Sequence, residues 1–258
     1  MGISSCPNDT FIFAALLSGK TNADIDFDLT MDDVERLNGL AIGKKLDIVK
    51  ISYGVVNEII DEYALLPAGG ALGFGCGPLL VKKPDTPLKG KIAVPGLRTT
   101  AFKLFSMFYP EHIPDCTPVR FDRIMPEVKS GEYAAGLIIH EGRFTYQNYG
   151  LDKVADMGEL WQERFKTPLP LGAIAMKRSL AAYAHTMNTL ITASLNYAYK
   201  DTQGIMPFVK KYSDEMDEDV MKSHIELYVN RYSIDARPAL KGISEFLNLP
   251  EERIFHKV

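Results

Sequence analysis

The sequence predicts an α/β fold of two lobes joined by two crossings, and three observations predict it. Short β-like runs alternate with helical segments as far as His140, two proline-rich stretches interrupt that rhythm, and nearly everything beyond Ser179 reads as helix. Repeated strand, helix, strand implies a parallel sheet flanked by helices.

In order, Gly2 to Ser5 reads as a short strand and Phe11 to Leu17 as an apolar helix. Ile25 to Thr30 alternates apolar and acidic residues as a strand does. Asp32 to Lys44 then reads as a helix, Asp47 to Ser52 as a strand and Tyr53 to Tyr63 as a helix. The rhythm continues through Lys91 to Val94 (strand), Thr99 to Tyr109 (helix), Pro118 to Phe121 (strand), Ile124 to Gly131 (helix) and Ala134 to His140 (strand). The proline-rich stretches lie at 82–90 and 166–172, where boundaries are expected. Gly172 to Lys177 reads as a strand, and the helical remainder breaks near Asp201 to Gly204, Ser213 to Asp217 and Ser233 to Pro238. The first lobe is thus expected to be discontinuous, 1–85 plus 171–258, with 86–170 as the second and a ligand cleft between them.

Composition narrows the function. The 258 residues carry 29 Lys and Arg against 33 Asp and Glu, a net charge of −4. Nucleic-acid binding leaves a surplus of clustered Lys and Arg, which is missing here. No apolar run approaches the roughly 20 residues that cross a bilayer, and the N-terminus lacks the basic region of a signal peptide. The glycosylation match at Asn8-Asp9-Thr10 therefore reads as accidental. Three widely spaced cysteines, Cys6, Cys76 and Cys116, form no C-x-x-C pair. A reducing cytoplasm is the expected compartment, with the cysteines as small buried hydrophobes.

Ligands of open parallel sheets bind at the carboxyl ends of strands, so the segments after each strand supply the candidates. Asn8, Asp9 and Thr10 are all helix-capping types, read either as a plain cap or as an anion site. Lys50 and Ser52 share one face of their strand while Ile51 faces the core. Thr99 and Thr100 open a helix, where hydroxyls cap or hold a carboxylate. Ala135 to Ile139 ends in His140, Glu141, Gly142 and Arg143. A histidine after an apolar strand suits a general base, with a structural histidine as the plain alternative. Glu141 and Arg143 read as an exposed local ion pair.

Several templates fail. His140-Glu141 lacks the second His of the zinc-protease motif, and the glycines at 69–77 match neither the dinucleotide-binding nor the P-loop spacing. Those glycines read as a turn with a close backbone approach. Trp161, Phe144, Tyr146 and Tyr149 read as packing residues, and no metal site is expected.

Taken together, segments 6–13 (Cys-Pro-Asn-Asp-Thr-Phe-Ile-Phe), 33–38 (Asp-Val-Glu-Arg-Leu-Asn), 50–53 (Lys-Ile-Ser-Tyr), 69–73 (Gly-Gly-Ala-Leu-Gly), 136–146 (Gly-Leu-Ile-Ile-His-Glu-Gly-Arg-Phe-Thr-Tyr) and 169–174 (Leu-Pro-Leu-Gly-Ala-Ile) resemble the 1,4-dihydroxy-6-naphthoate synthase family of the futalosine route to menaquinone. The resemblance implies a two-lobed fold like that of type II periplasmic binding proteins, used as a cytoplasmic enzyme. It also implies a lyase that converts cyclic dehypoxanthine futalosine to 1,4-dihydroxy-6-naphthoate and dihydroxyacetone. His140 would be the base, and Asn8, Lys50, Ile51, Ser52, Thr99 and Thr100 would contact a small-molecule carboxylate, with no cofactor, metal, nucleic acid or membrane partner. Ser5 stands where that family usually has Pro, and the chain starts close to the motif, so a trimmed first strand is expected. Two alternatives stay open: a non-catalytic binding protein for a small carboxylate, and a chorismate dehydratase relative. Oligomeric state is left open as well.

Overall fold

The computed structural model describes residues 1–21, 25–213 and 217–258. The chain divides into two compact units, Met1–Leu72 with Gly172–Val258, and Gly73–Leu171. The break expected at Ser213 to Asp217 lies mostly outside the described residues.

Ten strands are present among the described residues: β1 (Gly2–Ser4), β2 (Thr30–Asp32), β3 (Ile48–Ser52), β4 (Tyr63–Gly73), β5 (Leu79–Lys82), β6 (Ile92–Val94), β7 (Cys116–Pro118), β8 (Ala135–Ile138), β9 (Asp152–Asp156) and β10 (Leu169–Lys177). They form two five-stranded sheets, β2-β1-β3-β10-β4 and β7-β6-β8-β5-β9. β1 runs parallel to β2 and β3, and β6 parallel to β7 and β8. β10 is antiparallel to β3, and β5 antiparallel to β8 and β9. Both sheets are therefore mixed rather than parallel. A parallel neighbour needs a crossover back over the same sheet; β5 and β10 instead enter from the other unit, free of that constraint.

Local chemistry explains where the elements differ from expectation. The first helix spans Pro7–Leu17, starting before Phe11, because Pro7 sits at its first position with Cys6 extended as the cap; proline's fixed φ is pre-set for that place. Asn8, Asp9 and Thr10 thus lie inside the first turn and none of them is the capping residue. Tyr63 opens β4 instead of ending a helix, and Pro118 ends a strand while Phe121 starts the helix Phe121–Ser130. The strand expected over Ile25 to Thr30 begins only at Thr30. Residues 73–85, expected in the first lobe, include β5, whose partners place it in the second sheet. Gly69 to Gly73, read as a turn, are the buried end of β4.

In the first unit the Pro7–Leu17 helix is buried from Pro7 to Leu16; from Phe11 onward it is apolar all round, as a buried element must be. It packs against the helices Ala184–Lys200, Thr202–Tyr212 and Glu218–Tyr228. Ser194, fully buried, accepts from the Leu16 N–H at 3.0 Å and donates to the Ile12 carbonyl at 2.7 Å. The second unit closes over Leu79, Val81, Ala93, Ile124, Val128 and Ile138.

Candidate active site

The first unit gathers a buried polar cluster where β1, β3 and the Pro7–Leu17 helix meet. One oxygen of the Asp9 carboxylate accepts from the Ser4 hydroxyl at 2.6 Å and the Ser4 N–H at 3.3 Å. Its other oxygen accepts from the Asn8 side-chain amide at 2.9 Å and takes the Lys50 ammonium in an ion pair. Lys50 also reaches the Gly69 carbonyl at 3.4 Å. Lys50 and Ser52 do share a face, but the positive charge is matched by Asp9 within the protein. Ile51 is wholly buried, backbone included, and pairs with Ala173 of β10. The Ser52 N–H donates to Asn38 at 2.9 Å, which fixes the end of β3 against the Val34–Ile42 helix.

In the second unit, Thr99 caps the helix Thr100–Phe108: its hydroxyl accepts from the Phe102 N–H at 3.1 Å and donates to the Gly96 carbonyl at 2.8 Å. Thr100 donates to the Leu171 carbonyl at 2.7 Å. Both hydroxyls thus spend a donor on the fold. The positive end of a nine-residue helix lies beside them.

β8 ends at Ile138, two residues before the expected strand terminus, and His140 follows in a turn. Its backbone is left-handed, φ +55°, a conformation in which histidine is enriched among non-glycine residues. The half-buried imidazole stands edge-on to the Phe121 ring, with centroids 5.2 Å apart. Arg143, expected to pair locally in the open, is instead tied inward. Its guanidinium donates to the Gly77 carbonyl at 2.8 Å and to the buried Asp156 carboxylate at 3.0 Å. Burial pushes the Asp156 carboxyl above the ordinary carboxylate range, with the Arg143 charge opposing that rise. The other Asp156 oxygen accepts from the Gly158 N–H at 2.7 Å, capping the helix Met157–Phe165.

Asp156 was not among the sequence candidates, and Asp9 was read there only as a helix cap or part of an anion site. Asp156 carried a signal, an Asp three residues before Glu159 at the start of a helix, which is a capping pattern. Asp9 carried none for its partner, 41 residues away.

The remaining side chains fit packing roles. Trp161 is fully buried, stacks on Phe165 at 4.1 Å and donates to the Thr167 carbonyl at 3.0 Å. Burial raises the Cys76 thiol and lifts Cys116 to about 11, which keeps both protonated. Among the described residues no group of three or more His, Cys, Asp or Glu could hold a metal ion, and no helix is long and apolar enough to cross a membrane.

The model of a family described as menaquinone biosynthesis matches residues 1–252. The chain is 45% identical to a 1,4-dihydroxy-6-naphthoate synthase of Streptomyces coelicolor over 90% of its own length and 85% of the relative's. It is 41% identical to the enzyme of that name from Thermus thermophilus, over 91% and 87%. A crystal structure of an Archaeoglobus fulgidus protein superposes with a TM-score of 0.88 at 32% identity, covering 96% of this chain and 94% of that one. A Candida albicans protein with the generic periplasmic binding protein fold superposes with a TM-score of 0.68 at 13% identity, covering 96% and 88%. The fold is therefore that of the periplasmic binding proteins. The chain belongs to the menaquinone-biosynthesis family and, like the 1,4-dihydroxy-6-naphthoate synthases to which it is similar, is an enzyme.

Proposed function

We propose that this enzyme is a carbon–carbon lyase that converts cyclic dehypoxanthine futalosine to 1,4-dihydroxy-6-naphthoate and dihydroxyacetone in the cytoplasm, with His140 as the general base. The observation that carries the base assignment is the left-handed turn after β8, which holds a half-buried imidazole edge-on to Phe121 just beyond a fully buried strand. Similarity to relatives named for the naphthoate product supports the reaction class.

In this reading the neutral imidazole takes a proton from the sugar-derived part of the substrate. A carbon–carbon bond then breaks in a retro-aldol sense, and aromatisation of the ring drives the reaction forward. The helix that starts at Thr100 offers its positive end to the substrate carboxylate or a developing oxyanion. Lys50, Ile51, Ser52 and Asn8 are proposed substrate contacts of the first unit. Because Asp9 balances the Lys50 charge, the substrate would meet a neutral pair there rather than a lone cation.

Purified wild type and His140→Ala are to be incubated with cyclic dehypoxanthine futalosine, with product followed by chromatography and binding by calorimetry. Naphthoate formed by wild type, and lost in a variant that still folds and binds, supports the reading. Full activity in His140→Ala overturns the base. Binding by wild type without turnover, or turnover of chorismate instead, overturns the substrate.

A further inference from the structure

We propose that Arg143 is a positioning residue for His140, holding the turn that carries the imidazole through its bonds to Asp156 and the Gly77 carbonyl. The inference rests on His140 being the base. It assigns no substrate contact to Arg143.

The turn is held at several points, among them the contact of its imidazole with the Phe121 ring. His140 sits at φ +55°, and a side-chain-bearing residue stays in that region when its surroundings over-determine it. The helix that follows, Gly142–Thr145, has four residues, far below the length at which a helix persists by itself. Its local bonds include the Gly142 N–H to the Ile139 carbonyl at 3.2 Å, the Phe144 N–H to the Glu141 carbonyl at 2.9 Å and the Tyr146 N–H to the Gly142 carbonyl. Arg143 adds a non-local hold, with one bond to the Gly77 carbonyl and one to Asp156, across 66 and 13 residues of sequence.

What Arg143 grips is rigid. Leu79 of β5 is paired with Ile138 of β8 on one side and with Asp156 of β9 on the other, so Asp156 lies level with the strand end from which the His140 turn departs. The second Asp156 oxygen is fixed by the Gly158 N–H, and the Met157 N–H donates to the Pro78 carbonyl at 2.9 Å. Gly77 and Gly158 are in backbone contact: a Cβ on Gly77 would lie 2.6 Å from the Gly158 nitrogen. The guanidinium therefore spans two anchored acceptors. Its planar fork suits two acceptors held at a set angle, which a lysine ammonium on a flexible stem does not reproduce.

The test compares kcat, KM, the pH–rate profile and the melting temperature of wild type, Arg143→Gln, Arg143→Lys, Asp156→Asn, His140→Ala and the double variant His140→Ala/Arg143→Gln, assayed with cyclic dehypoxanthine futalosine. Displacement of a catalytic group by about 1 Å costs on the order of 100-fold in rate, so Arg143→Gln should lower kcat by roughly that factor with KM nearly unchanged. Arg143→Lys should recover only part of the loss, and in the His140→Ala background Arg143→Gln should cost nothing further. Normal kcat with only a lower melting temperature would make Arg143 a structural strut and overturn the proposal. A raised KM at unchanged kcat would make it a substrate contact, with the same result. Full activity in His140→Ala removes the base and the positioning role together, whereas an inactive His140→Ala beside a fully active Arg143→Gln removes the positioning role alone. Asp156→Asn keeps the side-chain volume and carries the same comparison if Arg143→Gln does not fold.

Discussion

Lys50 and Asp9 form an ion pair in the interior of the first unit, with side-chain exposures of 6% and 0%. Breaking such a pair from one side leaves a desolvated charge without its counterpart, at a cost of about 3–5 kcal/mol, whereas replacing both partners with apolar groups costs far less. Asp9→Ala should therefore lower unfolding stability by about that amount, and Asp9→Ala/Lys50→Met should be more stable than the single variant. Urea denaturation measures both; a double variant less stable than Asp9→Ala would refute the account.

The left-handed backbone at residue 140 separates stability from activity. Glycine enters that region without the penalty of roughly 1–2 kcal/mol that a Cβ brings. His140→Gly should thus be more stable than His140→Ala by about 1 kcal/mol, and on the proposed base assignment both should lose turnover. Equal melting temperatures for the two variants would show that residue 140 bears no such backbone cost.

Gly158 admits no side chain. A Cβ there would lie 2.1 Å from the Cys76 carbonyl carbon and 2.5 Å from the Gly77 nitrogen, and neither atom belongs to a flexible side chain. Gly158→Ala should destabilise the protein at or above the upper end of the ~1–3 kcal/mol typical of overpacking. The helix-capping bond from the Gly158 N–H to Asp156 would be displaced with it. A Gly158→Ala protein with an unchanged unfolding midpoint would contradict the contact.

His256 gives the first unit a pH dependence of known sign. Its Nε2 faces the Met176 carbonyl at 2.9 Å, so that nitrogen carries the proton. Burial holds the ring's pKa below the ordinary histidine value of about 6.5, with the Met176 bond opposing that shift and the Arg178 charge adding to it. Below about pH 6.5 the unfolded chain binds more protons than the folded one, so stability present at neutral pH is lost as pH falls. His256→Gln, which keeps a donor and removes the titration, should lose less stability than wild type between about pH 7.5 and about pH 5.5. Parallel losses would assign the acid sensitivity elsewhere.

The part of the fold visible in the sequence is the part written in local period. Ile48–Ser52, Ile92–Val94 and the helices Thr100–Phe108 and Phe121–Ser130 lie within a few residues of where apolar spacing puts them. β4 was missed because glycine argues against a strand, yet here the glycines let backbone meet backbone: a Cβ on Gly70 would lie 3.0 Å from the Gly172 carbonyl oxygen. Strand direction was missed because β5 and β10 take their neighbours from distant segments. The site divides in the same way. His140, Thr99 and Lys50 stand out by residue type and place, while the partners of Lys50 and Arg143 are set by tertiary contact: the spacing that marks Asp156 as a cap does not pair it with Arg143, and none pairs Asp9 with Lys50.

The strand order of the first sheet also dictates a sequence of events on the ribosome. β10 sits between β3 and β4, so β4, with all eleven residues buried in the finished protein, has no neighbour in its sheet until residues 169–177 have been made. The unit Gly73–Leu171 is continuous, and domains generally fold as units while synthesis proceeds. The inserted half is therefore complete while the half that began first still lacks an interior strand. During that interval the nascent chain exposes a long unpaired edge, the feature that invites pairing with other chains, and it is withdrawn only when β10 closes the gap.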